Sequence, residues 1–100
     1  MSRLQLTEIA QADLKSIRRY SEPRWGSEQT SRYLSELRDT MRRLAAGTAA
    51  SRARDDLRPG LQMVTSGRHC IFFEQDEHRV LVIRVLHQRM DFPNHVKSSG

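Results

Sequence analysis

Apolar and polar positions alternate with a period of two over residues 3–6, change to a helical period up to Gly47, and return to strand-like runs after Gly60. Arg3-Leu4-Gln5-Leu6 reads as a short strand, and Thr7 follows as an N-cap with Glu8 as a favourable first-turn charge. Ala10, Leu14, Ile17 and Tyr20 then form one apolar stripe, with Asp13, Lys15, Arg18 and Arg19 directed mostly to water. Pro23 is expected to end this helix near Ser21. The chain restarts at Gly26 with Ser27 as cap, and Tyr33, Leu34, Leu37, Met41 and Leu44 make the next stripe. Two helices joined by so short a connection fold as an antiparallel hairpin whose stripes roof one face of a sheet; neither would persist alone.

Residues 48–59 are small and polar and read as a surface connection. Gly60 opens a second strand, Ser66-Gly67 turns it into a third over residues 68–74, and Asp76-Glu77 turns that into a fourth. Residues 80–86 are apolar and β-branched apart from Arg84, the pattern of a strand covered on both faces at the centre of a sheet. Strict alternation places Leu81, Ile83 and Val85 under the helices and Val80, Val82, Arg84 and Leu86 on the opposite face. The first strand is placed beside this central one. Phe92-Pro93 is expected to end regular structure, with fraying from Val96 onward. The expected fold class is α+β, ordered β-α-α-β-β-β, with a helix hairpin on one face of a small, mainly antiparallel four-stranded sheet. Residues 1–96 are read as one domain and residues 97–100 as a disordered tail.

At 100 residues the chain has room for one modest core. Lys and Arg total 17 against 12 Asp and Glu, a net charge of +5, and Lys15 and Lys97 are the only lysines. An arginine-rich surface suits bidentate pairing with carboxylates or phosphates, so an acidic protein or a nucleic acid is the natural counterpart. Cys70 stands alone, which excludes an internal disulfide and suits a reducing compartment. No apolar run reaches membrane-spanning length and no secretory h-region opens the chain, so a cytoplasmic protein without a membrane partner is expected.

His69, His78, His87 and His95 are scattered, Cys70 has no partner at zinc spacing, and no glycine-rich phosphate loop or nucleophile elbow is present. Neither a metal, a cofactor nor a catalytic set is therefore expected. What remains is cationic: Arg58, Arg68, Arg84 and Arg89 on or beside the last three strands, with His87 and Asp91 where the central strand ends. Each arginine reads either as one half of an ion pair or as part of a contact surface. Trp25 reads as a clasp at the helix turn or as an anchor for a partner, and Tyr20 and Tyr33 read as core.

Three stretches carry a resemblance: Arg24-Trp25-Gly26 followed by Tyr33-Leu34-x-Glu36-Leu37; Asp55-Asp56-Leu57-Arg58-Pro59-Gly60-Leu61 leading to Gly67-Arg68-His69-x-Ile71-Phe72-Phe73; and Val82-Ile83-Arg84-Val85-Leu86-His87-x-Arg89-Met90-Asp91. In this order they resemble the ParE toxins of the ParE/RelE superfamily, the toxic half of bacterial type II toxin–antitoxin pairs. The resemblance implies a RelE/ParE-like fold and inhibition of DNA gyrase by binding rather than by enzymatic chemistry. It also implies a ParD-like antitoxin, through which alone the toxin would meet operator DNA. Under it, Arg58, Arg68, Arg84, His87, Arg89 and Asp91 form the expected toxicity surface, and Trp25, Tyr33, Leu37 and Met41 the expected antitoxin-binding surface. The competing implication is a RelE-like ribosome-dependent mRNA endonuclease. The sequence departs from that pattern, since no tyrosine follows Tyr33 and Lys97 is the only lysine in the carboxyl-terminal half.

Overall fold

The structure, a computed structural model, describes residues 2–96. Strand β1 (Arg3–Leu6) passes directly into helix α1 (Glu8–Trp25). Thr7 makes the junction: its Oγ1 accepts the amide of Ala10 at 3.0 Å and donates to the carbonyl of Ile83 at 2.8 Å, so one side chain caps the helix and ties it to the sheet. Helix α1 does not stop before Pro23 as expected. Pro23 forfeits the bond to the Arg19 carbonyl, but it lies in the final turn, where the Gly26 amide still reaches Glu22 O and the Arg24 guanidinium donates to Tyr20 O at 2.7 Å. The position before helix α2 (Ser27–Ala46) is held by Gly26 without a side-chain cap, and Ser27 is already helical. Gly47, at φ 76°, closes α2 in the left-handed conformation.

After the hairpin come β2 (Arg52–Ala53), β3 (Gln62–Ser66), β4 (His69–Gln75) and β5 (Arg79–His87), then a short helix α3 (Phe92–Val96). The sheet order is β1-β5-β4-β3-β2, with β1 parallel to β5 and the remaining pairs antiparallel. The expected placement of the first strand beside the central one holds. The sheet has five strands rather than four, because Arg52 and Ala53, read as connection, pair with Met63 and Gln62. Helix α3 is a further addition: Val96, expected to fray, is fully buried, whereas the tail expected at 97–100 lies outside the described residues.

The alternation read along β5 fails at a β-bulge. Phe72 pairs with Arg84 and Phe73 with Val82, which leaves Ile83 as the extra residue in β5. Val80, Val82 and Val85 consequently join the cluster beneath the helices, packed with Ala10, Leu14, Ile17, Leu34, Leu37 and Met41. Ile83 and Leu86 join the cluster on the far face with Leu57, Leu61, Phe72 and Val96, and Leu81 packs against it. The assignment of Leu81 and Ile83 to the helix side, and of Val80 and Val82 away from it, is thus reversed. No single period of two fits the strand, since the extra residue switches the parity midway.

Candidate functional site

Arg84, the one charge inside the central strand, is held by the fold. Its Nε and Nη2 reach the two carboxylate oxygens of Asp13 at 2.8 and 2.9 Å, and its Nη1 donates to the carbonyl of His95 at 3.3 Å. Asp13 Oδ2 also accepts the amide of Val85 at 2.9 Å. Beyond Val82 the strand β1 no longer covers this edge of β5, so the carboxylate of Asp13 satisfies a strand amide that would otherwise face no partner. Both side chains are 14% exposed, and the bidentate geometry is the strong form of an arginine–carboxylate pair. Asp13, read as solvent-facing, is therefore a structural anchor, and Arg84 is not a free cation.

Between the amino-terminal part of α2, the length of α1, the β3–β4 turn and the end of β5 lies a groove of about 790 Å³. Its apolar lining includes Ile17, Tyr20, Trp25 and Met90, and its polar lining includes Thr30, Tyr33, Arg68, His69, His87 and Arg89. Tyr20 and Trp25 are 57% and 47% exposed and meet edge to face, with the Arg24 guanidinium 3.7 Å from the Tyr20 ring centre. Tyr20 was expected in the core; the buried stripe of α1 instead steps from Ile17 to Ser21, which leaves Tyr20 on the groove wall. The Thr30 hydroxyl is buried at this wall and has no hydrogen-bond partner among the described residues.

Tyr33 fixes one side of the groove. Its Oη lies 2.5 Å from His69 Nδ1, accepts the Arg68 amide at 3.0 Å, and is 3.5 Å from the Ser66 carbonyl. Gly67 is needed at this turn for two reasons: its φ is +60°, and a Cβ there would come within 2.7 Å of the Tyr33 ring. Tyr33 thus clamps the turn that carries Arg68 and His69. Burial is the main cause that raises the Tyr33 phenol above its ordinary pKa, and it is the main cause, followed by the neighbouring His87 ring, that brings His69 down to about 4. His69 is accordingly neutral at ordinary pH, and its Nδ1 shares a hydrogen bond with the Tyr33 hydroxyl. The His69 and His87 rings stand edge to face at 5.4 Å, and His87 Nδ1 accepts the Arg89 amide at 3.1 Å.

The residues expected at separate surfaces are redistributed. Arg68, His87 and Arg89 from the expected toxicity surface share the groove with Trp25 and Tyr33 from the expected antitoxin surface. Neither the Arg68 nor the Arg89 guanidinium makes an ion pair with a described residue. Arg58 lies elsewhere, paired with Glu74 at 2.9 Å, and Asp91 accepts from Asn94 rather than from Arg89. Leu37 and Met41, expected to meet the antitoxin, are 0% and 1% exposed in the helix-side cluster and offer no surface. Their helical spacing signalled burial equally well, and burial won. Sequence reasoning gave no site role to Asp13, Thr30 or His69, although His69 lies in one of the stretches that carry the resemblance; only the packing of α1 and α2 against the β3–β4 turn and β5 gives them neighbours.

Among the described residues, no group of three His, Cys, Asp or Glu could hold a metal ion, and no helix is long and apolar enough to cross a membrane. Comparison with known proteins agrees with the fold. The model of a family described as the ParE toxin of type II toxin-antitoxin system, parDE, matches residues 4–92. Toxin ParE1 of Mycobacterium tuberculosis (strain H37Rv) is 42% identical over 91 residues, covering 90% of this chain and 93% of that protein. Toxin ParE1 of Caulobacter vibrioides is 38% identical over 96 residues, covering 96% of this chain and 99% of that one. Toxin ParE of Escherichia coli is 38% identical over 87 residues, covering 86% and 84%. A chain of the chromosomal ParDE TA system from P. aeruginosa superposes with a TM-score of 0.75 over 87% of this chain and 96% of that chain, at 21% identity, which speaks for the fold alone. With a family match across most of its length and relatives at this level of identity, the chain belongs to the ParE toxins of type II toxin–antitoxin systems.

Proposed function

We propose that this toxin acts by binding DNA gyrase and thereby blocking replication, and that a ParD-like antitoxin neutralises it. Membership of the ParE family supports the target, and the ParDE system among its structural neighbours supports the partner. The observation that carries action by binding is the state of the candidate reactive atoms. Cleavage of RNA through its 2′-hydroxyl needs a base, an acid and cations around the phosphorane. Here the Tyr33 hydroxyl and His69 Nδ1 are bound to each other, and His87 Nδ1 is occupied by the Arg89 amide. The Nε2 atoms of His69 and His87 lie outside these bonds, while Asp13, the one carboxylate lining the groove, is taken by Arg84 and the Val85 amide, so no complete acid and base set is assembled. The groove does supply what recognition needs: a half-exposed tryptophan, a methionine and two arginines without carboxylate partners among the described residues.

The test is purified toxin with reconstituted gyrase and relaxed plasmid. Loss of supercoiling, or trapping of cleaved plasmid, is expected. Unaffected supercoiling together with mRNA cuts in a translating extract would replace this reading with the RelE-like endonuclease.

A further inference from the structure

Helix α1 also borders a second hollow, of about 620 Å³, that shares no lining residue with the groove. It lies between α1, α2 and the end of β1, and its lining sets Lys15, Arg18, Arg19 and Arg38 around Leu14 and Leu34. At about 100° per residue, Lys15 and Ile17 project roughly 160° apart, so the hollow and the groove flank α1 on different sides. No Asp or Glu lines the hollow. Lys15, Arg19 and Arg38 are exposed and make no ion pair with a described residue. Arg18 reaches Glu22 at 3.3 Å, but these side chains are 40% and 39% exposed, and such a pair contributes little. Lys15 and Arg19 stand four residues apart on α1, a like-charge spacing that disfavours the helix and that a bound anion relieves.

We propose that this face of the helix hairpin binds the phosphate backbone of duplex DNA, whichever partner fills the groove. Charge complementarity calls for a polyanion, and two observations choose among polyanions. Leu14 and Leu34 are already 4% and 2% exposed, and of the apolar lining only Leu6 keeps partial exposure, so an acidic peptide finds no surface to anchor on. No aromatic side chain lines the hollow, so unpaired bases have nothing to stack against. What remains is attraction to phosphates, which a duplex presents in a regular array with its bases enclosed. Such contacts position the protein without reading sequence. Lys15, Arg19 and Arg38 meet phosphates directly, and Arg18 joins them when it leaves Glu22. Because α1 separates the two sites, a protein in the groove and a duplex on this face can be held together. The toxin thereby touches DNA itself, where the sequence led us to expect contact only through a partner.

The experiment titrates full-length toxin into a fluorescein-labelled duplex of mixed sequence, the matching single strand and a polyglutamate peptide. Duplex affinity is expected to fall roughly 60-fold between about 50 and 200 mM salt, a logarithmic slope near −3, as three to four phosphates are neutralised. The double variant Lys15→Ala, Arg38→Ala changes two exposed helix positions that accept alanine; it is expected to keep the wild-type melting temperature and to reduce the slope by about 2. Arg3→Ala with Arg52→Ala removes the same charge at exposed strand positions outside the hollow and is expected to leave duplex affinity within about twofold. No duplex binding at the lower salt, an unchanged slope in the Lys15 and Arg38 variant, or an equal loss in the charge-matched control overturns the proposal. Tighter binding of the single strand, or of polyglutamate, ends the duplex assignment in favour of that ligand. Each of these outcomes leaves the gyrase reading where supercoiling inhibition puts it.

Discussion

On one face of the sheet, helices of 18 and 20 residues lay Leu14, Ile17, Leu34, Leu37 and Met41 over Val80, Val82 and Phe73. On the other, a connection and a 5-residue helix lay Leu57, Leu61 and Val96 over Phe72, Ile83 and Leu86. Strand β4 feeds both, with Phe73 turned to the helices and Phe72 away from them. The first cover is cooperative, because each helix is fixed by a continuous stripe and loses it all at once. The second is assembled from isolated side chains on segments with little regular structure of their own, so it opens at lower cost. Arg84 spans the difference. Its guanidinium bonds Asp13 of the helix layer and a carbonyl of α3, and thereby couples the weaker cover to the stronger one.

The largest effects test that contrast directly. Phe73→Ala is expected to destabilise the protein by about 3–5 kcal/mol in denaturant unfolding, and Phe72→Ala by an amount near the lower end of that range, because α3 and the connection can settle into the cavity. A larger loss at Phe72 would show that the far face is not the more yielding one. Arg84→Ala is expected to cost about 2–3 kcal/mol, since it strands the largely buried Asp13 carboxylate, with residual solvent access moderating the penalty. Asp13→Asn should cost a similar amount, and the double variant less than the sum of the two. Additive losses in that cycle would mean the pair does not join the two layers. Val96→Ala should cost about 1–2 kcal/mol and raise amide exchange in β5 more than in α2.

Smaller effects sharpen the comparison at the groove, where the helix layer meets the strand ends. His69 is held near 4 in the folded state against an ordinary value of 6.5, so between those values the unfolded chain takes up the proton first. Its contribution to stability is full above about pH 6.5 and is lost as pH falls towards 4. His69→Gln should flatten the melting temperature across that window; an unchanged slope would place the ring in a more polar setting than the clamp with Tyr33 implies. Arg89→Ala should shift stability by no more than about 0.5 kcal/mol while weakening inhibition of supercoiling. Arg84 and Arg89 are close in sequence and equally basic, yet one is expected to fail through the fold and the other through binding. Full inhibitory strength in the Arg89 variant would remove that distinction.

Sequence by itself determined the helix hairpin, the meander and the pairing of the first strand with the last. Stripes of period 3.6 and tight turns at Gly47 and Gly67 are local properties, and burial of the stripes follows from them. Family likeness was also carried by the chain alone, in short stretches whose order survives without any knowledge of contacts. Tertiary structure decided which arginines are spent and which are free. The bulge at Ile83 switches the faces of β5, and Asp13 waits beside Arg84 at the point where β1 ends. It also decided that Trp25, Tyr33, Arg68, His87 and Arg89 share one groove. The physical reason is range: periodicity records what a residue does relative to its near neighbours, whereas an ion pair between positions 13 and 84 exists only once the layers have closed.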